Sequence, residues 1–176
     1  MKTLCLMRHA QASRRMDLQD FDRPLSHAGF ESVHDMAEII RSEDLAPGLV
    51  LCSAARRARE TWETLAAHLP DEAGAPRALD LRDDFYLASD KRLLTVLRAL
   101  PDAADAVLVV AHNPGLQRLV TGLAGPASRA DALAALRQGY PPAGLAVLTF
   151  ALERWRDIAP NAGRLERFLR PEPRAA

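Results

Sequence analysis

The chain has 176 residues, 48% of them hydrophobic and 26% charged, so it is long enough to bury a core and too apolar to be disordered. Its 23 basic and 23 acidic residues balance, which argues against binding nucleic acid or anionic membranes through a net positive charge. It begins without a signal-peptide pattern and contains no apolar stretch of transmembrane length, which predicts a cytoplasmic protein.

The strands are predicted from short, nearly continuous apolar runs, which are typical of parallel sheets covered on both faces by helices. The clearest runs span residues 2–7, 49–52 and 106–111. Cys5 and Cys52 stand inside the first two runs, so we expect buried free thiols in a reducing compartment. A weaker strand is predicted at 78–81, and two late strands, antiparallel at a sheet edge, at 144–152 and 163–170.

Helices are predicted between these strands, where apolar residues recur at helical spacing. They span residues 26–42, 56–69, 90–100 and 114–123. Ser26 and Ser89 occupy N-cap positions, and Pro114 suits a first helical turn.

The alternation of strands and helices predicts an α/β fold, a three-layer α/β/α sandwich with a mostly parallel central sheet and an antiparallel edge strand. We expect a single domain over residues 1–170 and a loose tail over 171–176.

Polar residues follow the three clearest strands, at the point where each one ends. The first strand ends at Arg8 and His9, the second at Ser53, and the third at His112. Three arginines follow Ser53 in the first turn of the next helix: Arg56, Arg57 and Arg59. The carboxyl ends of parallel strands share one edge of the sheet, and helix N-termini add N–H donors there. Polar residues after one strand alone are typical of a strand that ends at the surface. Polar residues after all three strands together favour a site for a small dianion such as phosphate.

Four stretches of the sequence resemble the histidine phosphatase superfamily, the phosphoglycerate mutase-like enzymes. These are MRHAQAS, RPLSHAG, CSAARRARETWE and VVAHNPGL. The short chain and the RPLSHAG and AHNPGL stretches are most similar to the SixA-type branch, the phosphohistidine phosphatases. Ala10 stands where that family has glycine, so the turn after His9 must accommodate a Cβ.

The resemblance implies a role for each residue of the expected site. His9 would be the nucleophile that becomes phosphorylated, with His112 as the second histidine of the pocket. Arg8 and Arg57 would bind the phosphoryl oxygens, as would His112. The spacing alone does not choose between Arg56 and Arg57, whereas the family motif selects Arg57. The resemblance implies neither a metal ion nor another cofactor, since the arginines supply the positive charge.

The mechanism requires a neutral imidazole at His9 with a free lone pair. We expect Arg8 and Arg57 to lower the pKa of His9, and a backbone carbonyl to accept a hydrogen bond from its other ring nitrogen. Larger relatives carry a general acid, for which Asp84, with Asp83 beside it, is the candidate. Two acids solvated in a loop are the simpler interpretation of that pair.

The sequence therefore predicts a metal-independent phosphatase that forms a phosphohistidine intermediate. Its expected substrate is phosphohistidine on a protein, because the labile P–N bond has less need of a strong acid and the chain lacks long insertions that could cover a small substrate. One alternative is a phosphomonoesterase for small molecules, with Asp83 or Asp84 as its acid. The other is a non-catalytic module that binds phosphoproteins.

Overall fold

A six-stranded sheet with five helices organises the part of the chain that the computed structural model describes, residues 1–15, 17–43, 45, 47–69 and 78–171. The strands are β1 (Lys2–Arg8), β2 (Leu49–Ser53), β3 (Ala78–Arg82), β4 (Ala106–Ala111), β5 (Leu145–Phe150) and β6 (Arg164–Leu169). The helices are α1 (His27–Ser42), α2 (Arg56–Ala66), α3 (Asp90–Arg98), α4 (Gly115–Leu123) and α5 (Ala130–Arg137). Short 3-10 helices span Asp20–Asp22, Asp83–Phe85 and Trp155–Asp157.

The strand order is β3-β2-β4-β1-β5-β6, and the first four of these strands are parallel. β5 pairs antiparallel with β1, and β6 pairs antiparallel with β5, so the two late strands form the predicted antiparallel edge. The predicted α/β class and the mostly parallel sheet are confirmed.

β1, β2 and β4 are buried on both faces of the sheet, and their successive side chains, which point to opposite faces, enter two different core clusters. In β1, Leu4 and Leu6 belong to one core cluster, while Cys5 and Met7 belong to the other. The first cluster includes apolar residues of α3, α4 and α5, and the second includes those of α1 and α2. Helices therefore cover each face of the sheet, as predicted. Cys5 and Cys52 are buried free thiols, and burial raises the pKa of each to about 12.

The predicted N-caps Ser26 and Ser89 are confirmed, whereas Pro114 lies one position earlier than predicted. The hydroxyl of Ser26 accepts the N–H of Gly29 (3.0 Å), and that of Ser89 accepts the N–H of Arg92 (3.2 Å). Pro114 is the N-cap residue of α4 rather than part of its first turn. α5 is an alanine-rich helix of eight residues that was not predicted from the sequence.

Two further expectations concern the ends of the chain and its relation to membranes. Residues 172–176 of the expected tail lie outside the described residues. Among the helices that the structure describes, none combines the length and the apolar character needed to cross a bilayer.

Two glycines of α4 offer a matched test of how closely this helix packs. A Cβ on Gly115 would overlap the carbonyl oxygen of Ala88, whereas a Cβ on Gly122 would meet nothing within 4 Å. We expect Gly115→Ala to lower the free energy of unfolding by about 1–3 kcal/mol. Gly122→Ala should instead raise it by about 0.5–1 kcal/mol, because alanine favours helix. Urea unfolding of both variants measures the difference, and equal stabilities would contradict the close packing of α4 on Ala88.

Candidate active site

The register of the sheet brings two histidines together. β1 and β4 are parallel neighbours, and Arg8 at the end of β1 pairs with Ala111 at the end of β4. His9 and His112 follow one residue later, and the N–H of His9 donates to the carbonyl of Ala111 (3.0 Å). The centroids of the two imidazole rings are 4.9 Å apart. The first and third predicted strand ends therefore meet at one edge of the sheet.

Arg57 reaches the same place from the first turn of α2. Its side chain is 5% exposed, whereas Arg56 and Arg59 are exposed residues of the same turn. The Nε–H of Arg57 donates to Nε2 of His9 (3.2 Å), and its Nη2 lies 3.4 Å from Nδ1 of His112. Of the three neighbouring arginines, the structure thus brings Arg57 to the histidines.

Hydrogen bonds determine which nitrogen of His9 carries the proton. Nδ1–H donates to the carbonyl of Ala10 (2.8 Å), so Nε2 presents its lone pair to the Nε–H of Arg57. The pKa of His9 is lowered to about 4, mainly by burial, with further lowering by the charges of Arg57 and Arg8 and an opposing effect of the Ala10 hydrogen bond. The sequence predicts the direction of this shift from the arginines, but burial is the larger cause.

His112 is buried between β2 and the arginine. Its Nε2 lies 2.8 Å from the hydroxyl of Ser53, which is the last residue of β2. The ring of Tyr86 packs edge-on against the ring of His112, with centroids 5.5 Å apart. Burial above all, and then His9 and Arg57, lower the pKa of His112 to about 3. Both imidazoles are therefore neutral at pH 7.

Ala10 is accommodated without left-handed backbone. It is fully buried, and it is not among the described residues that have a positive φ. Its N–H donates to the hydroxyl of Thr61 (3.0 Å), and that hydroxyl donates to the carbonyl of Arg57 (2.6 Å). The residue after His9 thus connects the end of β1 to α2, and a Cβ fits there.

A surface cavity of about 590 Å³ lies over the histidines, and its charged lining is mostly basic. Arg8, Arg14, Arg23 and Arg57 line it, while Asp20 is the one acidic residue among the described residues of its wall. Such a concentration of guanidinium groups suits a multiply charged anion, because arginine binds phosphate oxygens through paired N–H groups.

Two residues that no sequence motif indicates, Asp20 and Tyr86, complete the site. Oδ2 of Asp20 accepts hydrogen bonds from the hydroxyl of Tyr86 (2.7 Å) and from Nη2 of Arg57 (2.9 Å). Oδ1 accepts one from Arg23 (3.0 Å), which also lines the cavity. The Tyr86 hydrogen bond first, and then the charge of Arg57, lower the pKa of Asp20 to about 2. The sequence offers Asp20 and Asp22 equally ahead of Arg23, so it could not have selected one.

The candidate general acid lies outside this cluster. The carboxylate of Asp84 pairs with Arg82 (3.0 Å) and with Arg92, and Asp84 is not among the described residues that line the cavity. Hydrogen bonds from Arg82 and then Arg92 keep the pKa of Asp84 below its usual value. Asp83 is exposed in the same 3-10 helix and does not line the cavity either. The structure therefore brings neither acid to the histidines.

The chain is similar to known proteins over nearly its whole length. The profile of the histidine phosphatase superfamily (branch 1) matches residues 4–82. The uncharacterized protein Rv1276c of Mycobacterium tuberculosis (strain ATCC 25618 / H37Rv) is 32% identical over 164 residues, which cover 92% of this chain and 98% of that protein.

Two solved structures share the fold, and each carries the name "putative phosphohistidine phosphatase SixA". The protein from Nakamurella multipartitia is 28% identical, with a TM-score of 0.81 over 97% of this chain and 96% of its own. The protein from Agrobacterium tumefaciens is 28% identical, with a TM-score of 0.77 over 97% of this chain and 99% of its own.

The neutral state of the two histidines predicts how the fold responds to acid. In the folded protein, His9 and His112 should stay unprotonated until the pH approaches about 4 and about 3, respectively, and NMR titration measures this. In the urea-unfolded chain, both should titrate near 6.5. Because the unfolded state then binds the additional protons, the free energy of unfolding should fall as the pH drops below about 6.5. His9→Gln should remove part of this dependence. Titration of both rings near 6.5 in the folded protein would contradict their burial as neutral groups.

Proposed function

Because the chain belongs to the histidine phosphatase superfamily and is therefore a phosphoryl-group hydrolase, we propose that it removes phosphate from phosphohistidine on a protein. The phosphoryl group passes through a covalent intermediate on His9, without a metal ion. Arg8, Arg57 and His112 bind the phosphoryl oxygens. The similarity to proteins assigned as SixA supports this choice of substrate class.

The observation that carries the proposal is the orientation of the His9 imidazole. Its Nδ1–H donates to the carbonyl of Ala10, so Nε2 carries the lone pair. Nε of Arg57 donates to that lone pair, and a phosphoryl group that bonds to Nε2 would replace this hydrogen bond. A nucleophile must be unprotonated, and an imidazole with a pKa of about 4 is unprotonated at pH 7. The guanidinium of Arg57, which lies beside Nε2, would stabilise the negative charge of a phosphoryl group bonded to that nitrogen.

The other groups supply donors for the phosphoryl oxygens. Nη1 of Arg8 donates to the carbonyl of Tyr140 (2.7 Å), while its buried Nε has no hydrogen-bond partner in the described part of the chain. A buried N–H without a partner is costly, so a phosphoryl oxygen would stabilise it. His112 can offer Nδ1–H when the hydroxyl of Ser53, which both donates and accepts, turns its own proton toward Nε2.

The reaction then proceeds in two displacements. Nε2 of His9 attacks phosphorus, the P–N bond of the substrate breaks, and its electron pair returns to the leaving imidazole, which takes a proton from solvent. Water next attacks the phosphoryl group on His9, the new P–N bond breaks, and its pair returns to Nε2. Phosphate leaves and the proton of the water passes to solvent. Arg8 and Arg57 stabilise the charge of both transition states.

The position of Asp84 and the charge of Asp20 favour phosphohistidine over a phosphate ester as the substrate. An alkoxide leaving group needs a proton donor, but Asp84 is paired with Arg82 and Arg92 away from the cavity. Asp20 lines the cavity, and its pKa of about 2 leaves it ionised at neutral pH. The ring of a phosphohistidine can take a proton from solvent on its other nitrogen before the P–N bond breaks, so it leaves as neutral imidazole and does not depend on such a donor. An alkoxide is a stronger base and therefore a poorer leaving group.

Arg57 and Arg59 provide a matched pair of variants on one helical turn. Arg57→Ala should lower kcat/KM by about two orders of magnitude or more, because it removes several charge-assisted hydrogen bonds of roughly 1.5–3 kcal/mol each. Arg59→Ala should change kcat/KM less than about threefold, since its side chain is exposed and does not line the cavity. Steady-state kinetics on a phosphohistidine protein measure both, and a larger loss for Arg59→Ala would contradict the assignment.

Trapping the covalent intermediate tests the proposal directly. Rapid quenching during turnover of a phosphohistidine protein should place phosphate on the peptide that contains His9, detected by mass spectrometry under alkaline conditions. His9→Ala should abolish both the label and turnover, and EDTA should change neither in the unmodified protein. A sugar phosphate and an aryl phosphate complete the substrate panel. Preference for the sugar phosphate would contradict the substrate class, and absence of label with every substrate would favour a non-catalytic binding module.

A further inference from the structure

Asp20 is held among the arginines of the site, and the two displacements make no use of it. Its carboxylate accepts hydrogen bonds from Tyr86 (2.7 Å), Arg57 (2.9 Å) and Arg23 (3.0 Å). Arg23 is itself anchored by two hydrogen bonds to the carbonyl of Ser13 (2.9 and 2.6 Å). Donors from three segments of the chain therefore hold Asp20 in the cavity wall, although its side chain is 46% exposed.

Asp20 accepts hydrogen bonds from N–H groups of Arg57 that a phosphoryl group would also use. Nη1 of Arg57 donates to the carbonyl of Asp20, Nη2 donates to its carboxylate, and Nε donates to Nε2 of His9. A phosphoryl group on Nε2 of His9 must lie beside Arg57, and therefore beside Asp20. The carboxylate and the phosphoryl oxygens then compete for the same N–H groups and repel each other.

We propose that Asp20 is a specificity-determining residue that weakens the binding of free phosphate to this site. The inference rests on the proposed function, because it concerns the same arginines and histidine. A phosphoryl group on His9 is retained by a covalent bond despite the repulsion. Free phosphate is retained by hydrogen bonds and charge alone, so it experiences the full effect. Asp20 thereby favours release of the product and limits inhibition by phosphate in solution.

A different role for Asp20 would have the opposite consequence. If Asp20 served to orient Arg57 for binding phosphate, its removal would weaken phosphate binding. If it competes with phosphate, its neutralisation strengthens that binding. The sign of the change separates the two roles. The low pKa of Asp20, about 2, supports competition, since the side chain is charged at neutral pH.

Calorimetric titration with inorganic phosphate at pH 7.5 tests the inference on the full chain. Asp20→Asn keeps an oxygen that can accept from Arg57 and Tyr86, but it removes the charge. We expect its Kd for phosphate to be roughly tenfold lower than that of the unmodified protein. The control is Asp22→Asn, an exposed residue of the same 3-10 helix that does not line the cavity, and it should change Kd less than twofold. An unchanged or higher Kd for Asp20→Asn would overturn the proposal.

Two further measurements locate the effect and separate it from the proposed function. Adding Arg57→Ala to Asp20→Asn should abolish the tighter binding, and its persistence would place phosphate elsewhere and overturn the inference. The trapping of phospho-His9 is measured independently on the unmodified protein. Tighter phosphate binding by Asp20→Asn without any phospho-His9 supports competition at Arg57 while contradicting the hydrolytic mechanism. Phospho-His9 with unchanged phosphate binding supports the mechanism and overturns the role of Asp20.

Discussion

The guanidinium of Arg57 is a buried positive charge, and the arrangement of the site follows from the need to satisfy it. A buried charge that loses its partners is strongly destabilising, so its N–H groups must all be directed at acceptors. Here its N–H groups donate to Nε2 of His9 and to two oxygens of Asp20, and Nη2 also lies 3.4 Å from Nδ1 of His112. Both histidines are neutral mainly because they are buried, and the charge of Arg57 beside them lowers their pKa values further. Thr61, bonded to the carbonyl of Arg57 and to the loop after His9, fixes the position of this charge.

The strands and the polar residues at their ends could be predicted because buried parallel strands leave a strong local pattern. The apolar runs at 2–7, 49–52 and 106–111 correspond to β1, β2 and β4, which are adjacent in the sheet. Because these three strands are adjacent, their carboxyl ends lie together and form one site. The local pattern could not select Arg57 over Arg56, since both belong to one helical turn and carry the same charge. That choice needed the family motif, and the structure explains it by the face of α2 that each residue occupies.

The features that sequence reasoning missed depend on contacts between distant parts of the chain. Asp20 meets Arg57 across 37 residues and Tyr86 across 66, so no local spacing relates them. Asp84 is a different case, because the sequence offers it as a candidate acid while its carboxylate pairs with Arg82 and Arg92 in the structure. α5 was missed for a third reason, because its alanine-rich sequence buries only Ala132 and Leu136 and therefore has little amphipathic pattern.

The charges around the cavity connect the choice of substrate to the release of product. Tyr86 and Arg57 keep Asp20 ionised, so this carboxylate of the cavity wall is a poor proton donor and, in the role proposed for it, a competitor for phosphate. A substrate suited to these conditions has a leaving group that is protonated from solvent, and an imidazole meets this requirement. An alkoxide would require an acid with a raised pKa, which could not coexist with Arg57 at this distance. Within the proposed mechanism, Asp20 thus supplies no proton to an ester leaving group, and its charge helps phosphate to leave.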